Sequence, residues 1–333
     1  MPRERTFWLV LASLVVVGVV AGSFTRRSGT YQLAFAPDSP APRPQEASKR
    51  IWKDVELERI ATVPVALPTL LRPGPGGDVY VLDSGELQVL RISPDGRILA
   101  AFRDTSLGNL TDVAVGQNGE VWACDLDHNG IVVFSASGKL VRKIELEPPI
   151  GRLARTPRGF VATSIAGGEG LFRQYSEKGE MEGAFGAYFP EEFNTSIAAD
   201  GWIIPGKDGF FYPLRNAGYI LSYGWDGKLR FFRNTIDLIT LPEVRADSAG
   251  RQSVPAAALV SMSGSVVGNE LFVLTGGKML DVYDAETGSY RYSLRPPEKD
   301  ARYVVLTGDR LYSASGRTVT VWKPRNPAPW SRQ

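Results

Sequence analysis

The chain has 333 residues, of which 43% are hydrophobic and 22% are charged, and these values are ordinary for a globular protein. Its 38 basic and 36 acidic residues leave a net charge of +2, and no long basic run follows residue 60, so no nucleic-acid partner is expected. Cys124 is the only cysteine, which excludes an internal disulfide and a cysteine-based zinc cluster, and His128 is the only histidine, which excludes most histidine-rich catalytic zinc sites.

Residues 1–28 predict an export signal. A short basic start, Met1 to Arg5, precedes an apolar run over residues 7–22, and a pair of arginines follows it. This three-part layout is typical of a secretory signal peptide. The run as far as Phe24 is also close to the length that spans a bilayer, so an uncleaved anchor helix is the alternative. Both hypotheses place the rest of the chain outside the cytoplasm, in the periplasm or anchored to the inner membrane.

Residues 29–50 are expected to form a linker. The stretch 36–49 reads APDSPAPRPQEASK and contains four prolines among small and charged residues. Such a composition is typical of a semi-rigid spacer. We therefore expect this segment to be unpacked, and to hold the following domain away from a membrane if the anchor is retained.

A repeat of about 40 residues dominates the chain from residue 66 onwards. In each copy a Gly, Asn or Asp turn leads into a short apolar run, and most copies add a second apolar run and another glycine turn. This pattern predicts an all-β, six-bladed β-propeller over residues 51–324, followed by a tail at 325–333. The six anchor segments are Gly77 to Val81, Gly119 to Ala123, Gly159 to Ala162, Gly209 to Tyr212, Asn269 to Val273 and Asp309 to Tyr312.

Glycines in the turns between the two later strands of each unit give the spacing of the blades. From Gly96 the successive steps are 42, 41, 48 and 61 residues, and the last step predicts an insertion between Thr235 and Leu259 that crosses one face as a loop. The sixth unit lacks an outer strand. We expect Ile51-Trp52 and Val55 to Val63 to supply it from the other end of the chain, because this closure leaves no open sheet edge.

One stretch resembles a known repeat. Leu82 to Arg97 contains a strand, Asp-Ser-Gly, a second strand and an Asp-Gly turn, and it is similar to an NHL repeat. The second unit, Ala123 to Lys139, is similar but looser, and the later units keep only the strands and turns. The resemblance implies a six-bladed NHL-like propeller of the exported bacterial kind. It does not imply an activity, since such families include lyases, lactonases and interaction modules.

The regular aromatic positions are predicted to be core. They recur with the period of the blades, and Cys124, inside a strand, is expected to be a small buried residue. The aromatic positions are Tyr80, Trp122, Phe211, Phe272 and Tyr312.

Polar loop residues are expected around the mouth of the central channel, where the loops between the second and third strands share a face with the loops between blades. Both signs of charge occur, which favours a polar or anionic ligand over one catalytic centre. Capping of turns is the alternative role for Asp83 and Asp125, and a solvated turn is the alternative for His128. The candidate ligand-binding residues are Asp83, Glu86, Asn109, Asp125, His128, Arg152, Glu169, Asn194, Arg215, Lys278 and Arg302.

The leading hypothesis for function is a non-catalytic scaffold in the cell envelope that binds a protein or a polar small molecule, with no cofactor. A sugar-capture module with exposed aromatic platforms is a further possibility. The main alternative is a divalent-metal-dependent hydrolase or lyase similar to the lactonase-type propellers, although the Glu-Gly-Pro opening segment of those enzymes is absent. Its metal would be a hard cation such as calcium. The oxygen ligands would be Asn109, Asn194, Asp83, Asp125 and Glu169.

Overall fold

The computed structural model describes residues 29–32, 34–164, 170–187, 189, 199–248, 252–254 and 259–331. Six antiparallel sheets of four strands each form the body of this part of the chain. Blade 1 contains β3 (Pro68–Pro73), β4 (Val79–Asp83), β5 (Gln88–Ile92) and β6 (Ile98–Phe102). Blade 2 contains β7 (Leu110–Val115), β8 (Val121–Asp125), β9 (Gly130–Phe134) and β10 (Leu140–Glu145). Blade 3 contains β11 (Ile150–Arg155), β12 (Gly159–Ser164), β13 (Phe172–Ser176) and β14 (Met181–Phe185). Blade 4 contains β15 (Ile204–Pro205), β16 (Gly209–Pro213), β17 (Tyr219–Gly224) and β18 (Leu229–Asn234). Blade 5 contains β21 (Ser261–Val267), β22 (Glu270–Thr275), β23 (Leu280–Asp284) and β24 (Tyr290–Leu294). Blade 6 contains β25 (Tyr303–Thr307), β26 (Arg310–Ser315), β27 (Thr318–Pro324) and β2 (Leu57–Pro64).

The innermost strands close into a ring. Strand β3 contacts β7, β7 contacts β11, and the series continues through β15, β21 and β25 back to β3. The second strand of each blade is buried along almost its whole length, because it lies between two neighbouring blades. The prediction of a six-bladed all-β propeller is therefore confirmed.

The predicted core and turn positions are also confirmed. The regular aromatic residues are at most 2% exposed, and Cys124 is fully buried. Each predicted turn glycine, from Gly96 to Gly288, has a positive φ between 70° and 88°. Glycine adopts this conformation without steric cost, so these residues set the tight turns between the third and fourth strands.

Closure of the ring by the N-terminal segment is confirmed, with a shift in its bounds. Strand β2 pairs with β27 along its length, and Val63 lies opposite Val319. The upstream pair Ile51 and Trp52 does not belong to this blade, because Trp52 bridges to Ser293 on the outer strand of blade 5.

The described residues 34–50, for which an unpacked spacer is predicted, contact the propeller at several points. The Phe35 ring contacts Phe189, Tyr219 and Phe232. Further along, Arg43 bridges to Arg233 on the outer strand of blade 4. The prolines remove backbone donors but allow an extended chain, which follows the outer strands of blades 4 and 5 and then continues into β2, the outer strand of blade 6. We call residues 34–56 the strap.

The described part of the insertion after blade 4 contains two short strands, where a crossing loop is predicted. Within it, β19 (Glu243–Ala246) pairs with β20 (Gln252–Ser253) and with β1 (Gly29–Gln32), so that the three strands form a small sheet in the order β1–β19–β20. The start of the described chain is thus attached to the insertion. We call this the tether sheet.

Helical structure is scarce in the described chain. Two short 3₁₀ turns occur, at Pro75–Gly77 and Pro329–Ser331. No described helix has the length and apolar character needed to cross a bilayer. Residues 1–28, the predicted signal or anchor, lie outside the described residues. At the other end Trp330 is buried against Phe272, with ring centroids 6.0 Å apart, so part of the predicted tail packs on blade 5.

Candidate functional site

A cavity of about 730 Å³ opens at the mouth of the channel, on the face formed by the loops between blades. Irregularities in the first strands of three blades border it. The register shifts at Thr69 in β3, at Thr111 in β7 and at Gly151 in β11, and all three residues line the cavity. A bulge of this kind re-aims the side chains that follow it. Here it turns Arg152 towards the cavity.

The charged residues in the described lining form one connected group: Arg152, Asp200 and Arg215. The Arg152 guanidinium faces the carboxylate of Asp200 with two N–O distances of 3.4 Å, and its Nη1 donates to the carbonyl oxygen of Thr111 at 3.1 Å. Arg215 Nη1 donates to the same carboxylate at 3.2 Å. Asp200 therefore holds two arginines together at the mouth, and the described lining carries a net positive charge.

Trp202 supports both arginines. The Arg152 guanidinium lies 4.3 Å from the centroid of the indole ring, and that of Arg215 lies 5.7 Å away. The indole is only 4% exposed, and its Nε1 donates to the carbonyl oxygen of Ser261 at 3.2 Å. Stacking on an aromatic face stabilises a cation, and the buried ring fixes its position.

The charges and burial around the cavity keep Arg152 cationic and Tyr303 neutral. Burial alone would lower the pKa of Arg152, but the nearby carboxylates of Asp200 and Asp112 outweigh it and raise the pKa, so the side chain is cationic. Burial raises the pKa of Tyr303, although Arg215 and Arg152 act in the opposite direction, so this phenol stays neutral. The cavity thus combines fixed positive charge with a neutral hydroxyl.

A buried ion pair lies deeper in the channel. Arg72 Nη2 is 2.6 Å from Asp112 Oδ1, and both side chains are almost fully buried. The other carboxylate oxygen of Asp112 accepts from the backbone N–H of Leu153 at 3.1 Å, so one side chain connects blades 1, 2 and 3. Arg72 also lines a smaller cavity of about 100 Å³. Asp112 of the pair lies one residue beyond the mouth lining along the inner strands, and the pair links three of these strands, so we call it the floor of the site.

Asp83 and Asp125, two of the predicted ligand-binding residues, serve the backbone. Asp83 is 1% exposed and accepts from the N–H groups of Leu67 at 2.8 Å and Gly85 at 3.2 Å. Asp125 Oδ2 accepts from the N–H of Gly108 at 2.9 Å and contacts His128 Nδ1 at the same distance. These contacts correspond to the turn-capping alternative.

The other predicted residues are divided between regions. Asn109, Arg152 and Arg215 line the mouth cavity. Glu86 lines a separate groove of about 450 Å³ with Asp83. Lys278 and Arg302 are not in the described lining of the mouth. Lys278 Nζ instead donates to the carbonyl oxygen of Ala301 at 2.8 Å. Glu169 and Asn194 lie outside the described residues.

Two of the five residues of the alternative metal centre, Glu169 and Asn194, lie outside the described residues. No cluster of three or more His, Cys, Asp or Glu side chains suited to a metal occurs among the described residues. The carboxylates of Asp83 and Asp125 already accept backbone hydrogen bonds.

Among the lining residues that were not predicted from the sequence, three contribute to the charged group or its surroundings: Asp200, Trp202 and Tyr303. Asp200 and Trp202 precede β15, which is only two residues long because Pro205 and Gly206 end it, so the inner strand of blade 4 has no clear periodic signal. The available signal was the run Trp202-Ile203-Ile204, which follows an Asp-Gly pair as the other inner strands follow their turns.

Comparisons with known proteins support the propeller fold, but they do not assign a family or a function. No protein-family model matches the chain, and no curated protein does so either. Among solved structures, virginiamycin B lyase from Staphylococcus aureus is 13% identical, with 80% of this chain and 99% of that chain covered and a TM-score of 0.54. A streptogramin B lyase is 13% identical, with 81% and 98% covered and a TM-score of 0.53. The β-propeller domain of Cps50 (Swd1) from Myceliophteria thermophila is 12% identical, with 80% and 99% covered and a TM-score of 0.52. At such identities the likeness concerns the propeller architecture alone.

Proposed function

We propose that this chain is an exported or membrane-anchored propeller that binds a polar, negatively charged small molecule in the mouth cavity without transforming it. The observation that carries the proposal is the group of Arg152, Asp200 and Arg215 on the face of Trp202. Its cations are held in place before a ligand arrives, so little ordering is required on binding. The volume of about 730 Å³ lies within the usual range for small-molecule sites.

Arg215 is the residue that would meet the ligand. Its side chain is 37% exposed, and only its Nη1 has a hydrogen-bond partner among the described residues, which is Asp200. Nε and Nη2 are therefore available to a carboxylate or phosphate, which a guanidinium binds with two parallel hydrogen bonds. Arg152 already donates to Asp200 and Thr111, so it is better suited to supply a fixed positive charge than to contact the ligand directly.

Neutral groups around the arginines suit the remainder of a polar ligand. The hydroxyl groups of Tyr303 and Thr163 line the cavity and have no hydrogen-bond partner among the described residues. Leu126 and Val254 add apolar surface to the same lining. An organic anion with hydroxyl groups, such as a sugar acid or a sugar phosphate, matches this combination better than a bare inorganic ion.

The envelope location rests on the sequence of residues 1–28. A basic start and an apolar run favour export, either with cleavage or with retention as an anchor. The NHL-like assignment and the expected absence of a cofactor are likewise proposals. Edman sequencing of the protein purified from cells would separate a cleaved signal from an anchor.

A thermal-shift screen tests the ligand class. We expect glucuronate, citrate and glucose 6-phosphate to raise the melting temperature, and glucose to leave it unchanged. The shift should shrink as salt is added, since screening weakens a partly exposed ion contact. Equal stabilisation by neutral and anionic compounds would contradict the proposal, and so would turnover of any compound in the panel.

The alternative, a calcium-dependent hydrolase or lyase, makes the opposite prediction for metal. Protein prepared without chelator should contain calcium in stoichiometric amount if that alternative is right. Under the binding proposal, treatment with EDTA leaves both the melting temperature and anion binding unchanged.

A further inference from the structure

The tether sheet fixes where the N-terminal apolar segment leaves the propeller. In β19, Ala246 lies opposite Gly29 of β1 on one side and opposite Gln252 of β20 on the other. Neighbouring strands are about 4.8 Å apart, so Gly29 lies about 10 Å from Gln252. The next two residues, Ser253 and Val254, line the mouth cavity. The described chain therefore begins beside the mouth.

The apolar segment cannot be far from this point. Its run ends near Phe24, five residues before Gly29. A fully extended chain covers about 3.5 Å per residue, so these two residues are at most about 17 Å apart. A long linker would have permitted any orientation. The residues expected to provide that linker instead form the strap, which runs along the blades after β1.

The same face carries exposed leucines. Leu67 and Leu87 lie in loops of this face beside blade 1, and Leu238 and Leu259 lie on the other side of the mouth, between blades 4 and 5. Their exposed fractions are 44%, 43%, 73% and 38%. These four side chains place exposed apolar surface on two opposite sides of the opening. Other exposed aliphatic residues, such as Val141 and Met181, lie on outer strands instead.

We infer that the chain holds its mouth towards the bilayer in which residues 7–24 are inserted, with the lipid surface as the occupant of the leucine-bearing face. This inference rests on the proposed function, because it requires the anchor form of the N-terminus. Its consequence concerns access: the anionic ligand enters from the narrow space between propeller and membrane, as a lipid-associated anion or a solute at the surface would.

Site-specific labels test the orientation. Cys124 is fully buried, and burial raises the pKa of its thiol well above the ordinary value, so an introduced cysteine can be labelled alone. Leu238→Cys reports on the mouth face, and Lys178→Cys, in an exposed turn between β13 and β14, reports on the opposite face. The full chain is inserted into phosphatidylcholine–phosphatidylglycerol nanodiscs that contain nitroxide headgroup lipids, and quenching of a bimane label is measured.

We expect at least about twofold quenching at position 238 and almost none at position 178, because strands of five or six residues and their loops separate the two faces by more than about 20 Å. Tyr31→Pro removes a backbone donor from β1 and should reduce the difference between the two positions. Equal quenching at both positions, or stronger quenching at 178, would overturn the inference, as would a mature N-terminus beyond residue 28. Anion binding measured on the same samples shows separately whether the proposed function stands.

Discussion

At the scale of single residues, the site contains ion pairs in which each charge is compensated by its partner. Asp112 is fully buried, and its carboxylate is balanced by Arg72 and by backbone donors. Replacing one partner of such a pair leaves the other charge buried and unpaired, which costs more than the pair itself contributes. The Arg152 and Arg215 pair differs, because both face the open cavity and share Asp200.

Arg72→Met should therefore destabilise the fold strongly. We expect the free energy of unfolding to fall by about 3 kcal/mol, since the Asp112 carboxylate loses its counter-charge without gaining access to water. Chemical denaturation followed by tryptophan fluorescence measures the change. The matched control is Arg97→Met, whose partner Asp95 is exposed, and it should leave the unfolding midpoint unchanged. Similar midpoints for both variants would show that the buried pair does not stabilise the fold.

Asp83→Ala separates a capping role from a ligand role. Loss of the carboxylate removes a charged acceptor from the N–H groups of Leu67 and Gly85, and we expect a loss of about 2 kcal/mol in the free energy of unfolding. Anion affinity should not change, because Asp83 lines a different groove from Arg215. A large loss of anion affinity with an unchanged free energy of unfolding would show that Asp83 binds the ligand.

The sequence identified some of these residues and missed others for physical reasons. Arg152 and Arg215 fall at loop and strand starts that the repeat places around the mouth. Asp200 and Trp202 precede a strand too short to give a periodic signal, so their position could not be inferred. Whether Asp83 points to the ligand or to the backbone depends on which donors lie within 3 Å of it, and the repeat does not specify this.

At the scale of elements, the strap is the least predictable part of the chain. Its proline-rich composition is typical of an unpacked spacer, yet Arg50 pairs with both Asp237 and Asp281, and the latter is 1% exposed. Gln45 donates to backbone carbonyl groups of blades 4 and 5. Composition reports the lack of a periodic apolar face. It does not report single long polar side chains that reach buried partners.

Arg50→Met tests the strap. Because Asp281 is buried and loses its counter-charge, we expect the free energy of unfolding to fall by about 2 kcal/mol. Amide exchange in residues 43–53 should also become faster, since the extended segment loses its strongest attachment. Lys228→Met is the control, because Lys228 and its partner Asp226 are both exposed and lie in the turn between β17 and β18. Unchanged exchange in the Arg50 variant would show that the strap is held by other contacts.

At the scale of the whole molecule, the fold was predictable because each blade repeats the same local sequence pattern. The turn glycines and the apolar second strands recur with one period, and the incomplete sixth unit required a strand from elsewhere. Only β2 was available to close the ring, and closure removes the exposed edges that two open blades would present.

A chain shortened to residues 65–333 should therefore fail to fold as a monomer. Without β2, the edge of β27 and the apolar side chains facing Val63 are exposed, and we expect aggregation and the loss of a cooperative thermal transition. A chain of residues 29–333, which lacks only the predicted signal, should remain monomeric and cooperative. Size-exclusion chromatography and calorimetry distinguish the two. Normal folding of the shorter chain would show that the N-terminal strand is dispensable.

The most direct test of the binding site is calorimetric titration of one anion, glucuronate, into three forms of the protein. The wild type and Arg97→Gln, which alters an arginine on the opposite face, should bind with equal affinity. Arg215→Gln should bind at least about tenfold more weakly, because a charge-assisted contact is worth about 1.5–3 kcal/mol. Equal affinity of all three forms, or no binding of glucuronate, citrate and glucose 6-phosphate to the wild type, would contradict an anion site at the mouth.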